Sequence, residues 1–211
     1  LLDRHDPQWR ENELDPEERP RWLTPLVNEL GHGILSGINK ATHVNAINLL
    51  ALVLLTTRKL ALGREELADQ LELYLDLPGR EDYSDRVTIT GKSPDEIIEY
   101  GIELGVIETR ENPLGDIIGV RPDQSVLLTY FRNNIAHLAA VPSLVASCFL
   151  NARRMASRDV RRIALAVYPF LKAELYLPWN EKDFLETVEG CISWLLKHGL
   201  LIQREEDGVL E

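Results

Sequence analysis

The chain has 211 residues, 45% hydrophobic and 27% charged, the composition of an ordinary globular protein long enough to bury a sizeable core. Its net charge of -11 and pI near 5.0 oppose broad contact with nucleic acid or an anionic bilayer, unless a local basic patch overrides the average. Cys148 and Cys191 lie in apolar helical contexts and read as buried thiols. The opening Leu1-Leu2-Asp3-Arg4-His5-Asp6 is too polar for the core of a secretory signal, and the apolar run from Ala46 to Leu55 is far short of the ~20 residues a membrane-spanning helix needs.

Residues 1–22 are charged, with Asp15-Pro16 and Arg19-Pro20 as breakers, and read as an extended connector in which Trp9 and Trp22 anchor packing. A first helix is predicted from Thr24 or Pro25, with Leu26, Val27, Leu30, Ile34, Leu35 and Ile38 at helical spacing. Gly31, Gly33 and Gly37 each cost it about 1 kcal/mol relative to alanine. Either another helix approaches that small-residue face closely, or the helix breaks near Gly31 to Gly33. From Thr42 to Leu60 apolar residues surround the helix, which predicts a central, multiply buried element; Asn45 and Asn48 then need partners from neighbouring backbone or buried water. Gly63 to Leu77 is amphipathic, residues 79–92 read as a loop or short edge strand, and Ser93-Pro94-Asp95-Glu96 is a helix start with an N-cap and proline at the first position. That helix ends at Leu104-Gly105, and Val106 to Thr109 with Asp116 to Ile118 frame a hairpin whose tip is Asn112-Pro113-Leu114-Gly115.

Asp123 is placed to cap a helix beginning near Gln124, in which Val126, Leu127, Tyr130, Phe131, Ile135 and Leu138 form one broad buried face. Asn134 falls inside that face and His137 on its margin, while Arg132, Asn133 and Asn134 make a hydrogen-bonding cluster that needs partners if buried. Three further helices follow: Pro142 to Met155, Ser157 to Leu175 with Ser157 as N-cap, and Glu181 to His198. A second hairpin then turns from Gly199–Gln203 through Asp207-Gly208 into Val209. The expected fold is mainly α: a helical bundle with two short β-hairpins. The repeated order of helices followed by a ribbon suggests two tandem winged-helix-like units. The expected divisions are a connector at 1–22, a first unit at 23–121, a linking helix at 122–141 and a second unit at 142–211.

Several dispersed runs resemble one family. Arg21-Trp22-Leu23-Thr24-Pro25, Asn45 to Leu49, Leu73 to Leu77, Leu114 to Gly119, Tyr130 to His137, Val141 to Leu144 and Tyr168 to Leu175 are similar to the region beyond the catalytic domain of bacterial membrane-bound glycerol-3-phosphate 1-O-acyltransferases. That family's chemistry is carried by a His-x4-Asp motif, in which the histidine is the general base and the aspartate orients it. Here the residues five beyond His5, His32, His43, His137 and His198 are Arg10, Gly37, Asn48, Pro142 and Gln203, so the motif is absent. The resemblance therefore implies a non-catalytic C-terminal region. It would dock on and stabilise the catalytic domain of its own polypeptide, which transfers an acyl group from acyl-CoA or acyl-acyl carrier protein to the 1-position of glycerol 3-phosphate. That is the first step of phospholipid synthesis, and the resemblance puts it at the cytoplasmic face of the inner membrane.

Within the chain, Tyr130, Arg132, Asn133, Asn134 and His137 are the candidate interface residues; no catalytic residue, metal or cofactor is expected. For His137, a packed internal histidine and a position at the edge of the parent's active site both stand. A nucleic-acid partner is disfavoured, because the helix from Asp95 carries acids and no base and that from Glu181 carries four acids against Lys182 and Lys197. The basic cluster Arg153, Arg154, Arg158, Arg161 and Arg162 reads either as a solvated face paired with acids or as a contact for a lipid head group or phosphorylated carrier. The alternative function is a stand-alone protein-interaction module. An exposed apolar patch at Leu138 to Leu150 or around the first helix would favour docking, and a wholly polar surface would favour independence.

Overall fold

The computed structural model describes residues 1–10, 19–77, 83–204 and 209–211, and the fold is mainly α, as the helical periodicities predict. A one-turn α1 (Leu2–His5) precedes α2 (Leu23–Lys40), which runs unbroken through its three glycines. The predicted helix from Thr42 is shorter than expected: β1 (His43–Val44) comes first and α3 spans Ala46–Leu54. Asn45 is the reason. Its side chain accepts the backbone N–H of Asn48 at 3.0 Å while the Asn48 side chain accepts that of Asn45 at 3.0 Å, a reciprocal cap that fixes the helix start.

After α3 come β2 (Ala61–Gly63), α4 (Arg64–Leu75), β3 (Thr88–Ile89) and α5 (Pro94–Glu103). The hairpin β4 (Ile107–Arg110) and β5 (Ile117–Val120) forms as predicted, and β2 pairs with the free edge of β5 to make an antiparallel sheet of order β2-β5-β4. β1 pairs in parallel with β3.

The next helix differs from expectation. Instead of ending before Pro142, α6 runs over Ser125–Ser147, preceded by a 3-10 turn at Pro122–Gln124, and Asp123 does not cap it. Proline removes one backbone donor from the helix interior. The segment stays helical because Ala139 to Val141 on one side of Pro142 and Leu144 with Val145 on the other are buried. β6 (Met155–Ala156), α7 (Ser157–Leu175) and α8 (Glu181–Lys197) follow, with Ser157 inside α7 rather than capping it. β7 (Val209–Leu210) pairs with β6, while Ile202 and Glu211 exchange backbone hydrogen bonds at 2.7 and 2.9 Å; the expected Asp207-Gly208 turn lies outside the described residues.

Two hydrophobic cores result. The first gathers α3, α4, α5, the three-stranded sheet and the first half of α6 around Leu50, Leu54, Leu67, Ile97, Ile118 and Leu128. The second gathers the rest of α6 with α7 and α8 around Val145, Val160, Tyr168, Phe184 and Val188, and Leu138 packs against both. Cys148 and Cys191 are buried free thiols, and burial pushes Cys191 up to about 12.

Helix α2 packs with its polar side inward. Ser36 is buried, the His32 ring lies 5.6 Å from that of Tyr176, and Asn39 donates to the Leu175 carbonyl at 2.8 Å. The predicted core residues Val27, Leu30, Ile34, Leu35 and Ile38 instead face solvent, and only Leu26 of that set is buried.

Candidate functional site

Helix α6 carries all five candidate interface residues, and its environment changes along its length. In the first half Leu128 and Ile135 are buried and Phe131 is half-buried, all directed into the first core. Asn48 crosses to this helix from α3 and donates to the Phe131 carbonyl at 2.7 Å, so both asparagines of the central helix have backbone partners. In the second half His137, Val141, Leu144, Val145 and Cys148 are buried.

Helical spacing links the buried second-half stripe to an exposed one. Val126, Tyr130 and Asn133 with Asn134 precede His137, Val141 and Cys148 on one line along α6, at intervals of three, four and finally seven. Toward the C-terminus that line is core. Toward the N-terminus it lies open, with Val126 82% and Tyr130 64% exposed. The expectation that Val126, Leu127 and Tyr130 belong to a buried face is therefore corrected, as is the placement of Asn134 within it: Leu127, Asn133 and Asn134 are exposed too. The error is one of angle, because the first core takes the Leu128–Ile135 side, roughly a third of a turn round the helix.

Arg132 is half-buried and donates through Nε and Nη2 to the Asn133 side-chain oxygen at 3.3 and 3.1 Å. This arrangement holds the guanidinium along the helix and leaves the amides of Asn133 and Asn134 at the surface. Tyr130 stands edge-on to Phe131 at 6.0 Å, which braces the exposed ring from inside.

His137 departs from its predicted marginal place, being only 3% exposed. Its Nε2 lies 3.3 Å from the Thr42 hydroxyl and its ring 4.9 Å from that of Tyr83, which in turn meets Trp179 edge-on at 5.4 Å. Burial depresses its pKa from 6.5 to about 4, a shift that a hydrogen bond with the Asn39 backbone opposes. A neutral imidazole so weakly basic suits packing where α2, the 83–88 segment and α6 meet, and is poorly matched to general-base work at neutral pH.

A second feature, which helical patterning did not indicate, is an apolar groove of about 350 Å³ between α4, α6 and α8, walled by Tyr74, Leu77, Ala139, Phe149, Trp194 and Leu201. At its rim Asp76 ties the elements together: the carboxylate accepts from Trp194 Nε1 at 3.3 Å and meets His198 Nε2 at 3.0 Å, with the indole and imidazole stacked at 4.1 Å. Four of the five arginines of the basic cluster are paired with acids, Arg154 with Glu211, Arg161 with Glu189, and Arg158 and Arg162 with Asp159. Among the described residues no group of His, Cys, Asp and Glu side chains could hold a metal, and no helix is long and apolar enough to cross a membrane.

Fold and surface together define a helical scaffold with two cores, on which one apolar face of α2 and one amide-bearing face of α6 are exposed among the described residues. Residues 1–211 match throughout the profile of the family described as the glycerol-3-phosphate acyltransferase C-terminal region, and the chain belongs to that family. It is 45% identical over 207 residues to a glycerol-3-phosphate acyltransferase of Xanthomonas campestris pv. campestris, covering 98% of this chain and 23% of that protein. It is 42% identical over 208 residues to the protein of that name from Xylella fastidiosa strain M23, covering 95% of this chain and 24% of the relative. The chain thus spans about a quarter of the length of the curated relatives it matches.

Proposed function

We propose that this chain is the non-catalytic C-terminal region of a glycerol-3-phosphate acyltransferase, docking on and stabilising the catalytic domain of the same polypeptide. The observation that carries the reading is the α6 line on which core positions His137, Val141 and Cys148 continue into exposed Tyr130 and Val126. A surface that extends a core stripe and ends in two exposed amides has the apolar centre and polar rim of a protein contact. Family membership, a match spanning a quarter of the relatives' length and the lack of a His-x4-Asp motif support it further. The parent would transfer an acyl group from acyl-CoA or acyl-acyl carrier protein to the 1-position of glycerol 3-phosphate at the cytoplasmic face of the inner membrane.

The division into units at 23–121 and 142–211, joined by residues 122–141, is part of this reading and draws support from the two cores, although Tyr83 packs in the second. The winged-helix-like likeness draws support from the order helix, strand, two helices, ribbon in residues 46–120, with β2 on the ribbon's edge, although β3 comes between the two helices and pairs with β1 instead. In this scheme Tyr130, Arg132, Asn133 and Asn134 meet the catalytic domain, while His137 holds their helix in register from within.

The test is made in the full-length polypeptide. Tyr130→Ala combined with Asn134→Ala should lower both acyl transfer and the temperature of inactivation, while the far-ultraviolet circular dichroism of the folded protein is unchanged. Unaltered activity and unaltered inactivation would remove the docking role. The 211-residue chain alone should give no acyl transfer with either thioester donor, and turnover above a no-protein control would contradict the non-catalytic assignment.

A further inference from the structure

Helix α2 is amphipathic in the reverse of the usual sense. Val27, Leu30, Ile34 and Ile38 form a stripe at i, i+3, i+7 and i+11 and are each about half exposed, from 48 to 61%, while Ser36 is buried and Asn39 bonds to the Leu175 carbonyl of the body. Gly31 lies within the stripe, between Val27 and Leu35 in one i+4 row and beside Leu30 and Ile34 in the next. A methyl group added to Gly31 would meet nothing within 4 Å, so no internal contact requires a glycine there. A helix interior containing Gly31, Gly33 and Gly37 gives up about 1 kcal/mol per glycine relative to alanine.

Three occupants fit an exposed apolar helix face, and physical magnitudes separate them. A bilayer surface is disfavoured: α2 carries one lysine and one glutamate rather than the basic polar face of an interfacial helix, Ser36 and Asn39 of its polar side are engaged by the body, and the chain's net charge is -11. A second copy is disfavoured by size. From Val27 to Ile38 the stripe is about 17 Å long and the helix about 10 Å wide, a few hundred Å² at most, against roughly 800 Å² per partner in a stable free complex. A segment of the same polypeptide needs no such area, because tethering sets its effective concentration near the millimolar range.

The relatives have about three-quarters of their length outside the matched stretch, and that stretch is their C-terminal region. Leu1 is brought to α2 by α1, whose Arg4 and His5 meet Glu29 at 3.0 and 2.8 Å. Polypeptide upstream of Leu1 would therefore leave this fold at α2, on the Glu29 side and within about one helix diameter of the open stripe. We infer that the outward face of α2 is the seat of a helix from the polypeptide upstream of Leu1, its backbone approaching closely over Gly31. This rests on the docking reading and adds to it a second contact, distinct from the α6 surface, with its occupant and geometry.

The experiment uses the full-length polypeptide with the photoreactive residue p-benzoylphenylalanine in place of Ile34, of Ile38, or of Tyr130 on α6. Each protein is irradiated at low concentration and the adducts are mapped by mass spectrometry. Both α2 positions should yield adducts within the same polypeptide on residues upstream of Leu1. Gly31→Leu should reduce the yield from position 34 at least fivefold, whereas Gly33→Leu, equally open but off the stripe, should not. Adducts joining two copies, adducts to lipid when phosphatidylglycerol vesicles are present, or none beyond residues 1–211 would overturn the inference. Yield indifferent to Gly31→Leu would overturn the close approach. If only position 130 reacts with upstream residues, docking stands and the α2 seat falls; if no position does, both fall.

Discussion

His137 offers the sharpest quantitative test of the structure. In an unfolded chain its imidazole titrates near 6.5 and in the fold at about 4, because burial disfavours the cation. Between those values the unfolded state binds the extra proton, so stability is intact above pH 6.5, falls as pH drops toward 4, and loses nothing further below. The full window amounts to about 3 kcal/mol, and about 2 kcal/mol of it is gone near pH 5. His137→Gln keeps a polar side chain beside Thr42 but cannot ionise, so it should lose stability at neutral pH while escaping the acid-dependent part. Urea unfolding of both proteins near pH 7 and pH 5 isolates the effect, since the carboxylates cancel in the comparison. The unmodified chain should lose about 2 kcal/mol more than the variant between the two conditions. Losses equal within about 0.5 kcal/mol would mean that His137 is not buried as a neutral group, and the junction of α2 with α6 would be wrongly drawn.

Gly101→Ala should destabilise by about 1–3 kcal/mol in thermal melts despite alanine's better helix propensity, since the new methyl would lie 2.5 Å from Leu50 Cδ1 and 2.8 Å from Ile107 Cδ1 in the first core. Gly31→Ala, with open space around it, should do the reverse and stabilise the 211-residue chain by up to about 1 kcal/mol in urea titrations. Asn48→Ala should cost about 2–3 kcal/mol, because it removes half of the α3 cap and the bond to the Phe131 carbonyl. Cys191, pushed up to about 12 by burial, should resist a thiol-specific disulfide reagent near pH 8 until the chain is unfolded, which absorbance of the released thiolate reports.

Where local chemistry decides a boundary, the sequence is a good guide. Ser93-Pro94-Asp95-Glu96 starts a helix through a reciprocal cap, with Ser93 and Glu96 exchanging bonds at 3.3 and 2.7 Å, and the Asn112 to Gly115 turn closes the predicted hairpin. Tertiary pairing decides others. Ala61-Leu62-Gly63 has no strand pattern and becomes β2 because the edge of β5 offers unpaired backbone, with Gly119 opposite Ala61 leaving room for the approach. Asn45, embedded in an apolar run, reads as a helical residue until its spacing from Asn48 is recognised as a cap. Pro142 reads as a terminator and is overridden by packing on either side of it.

The misplacements on α2 and α6 share one cause. A helical pattern specifies which face of a helix is apolar, but its direction in the fold follows from whichever neighbour covers it. On α6 two neighbours compete: the first core takes Leu128 and Ile135, the second takes the His137–Val141 line, and the surplus apolar residues Val126, Leu127 and Tyr130 remain outside. On α2 the described residues supply polar partners, the Leu175 carbonyl, the Tyr176 ring and the Arg4–His5 pair for Glu29, so the polar side turns inward and the apolar side outward. Exposing four large aliphatic side chains at about half their area forgoes several kcal/mol of burial, a substantial part of a small protein's total stability. A helix that forgoes this while keeping a glycine in the middle of the stripe is consistent with a face completed by another part of the same polypeptide, and the Gly31→Ala and crosslinking outcomes bear on that one point from opposite sides.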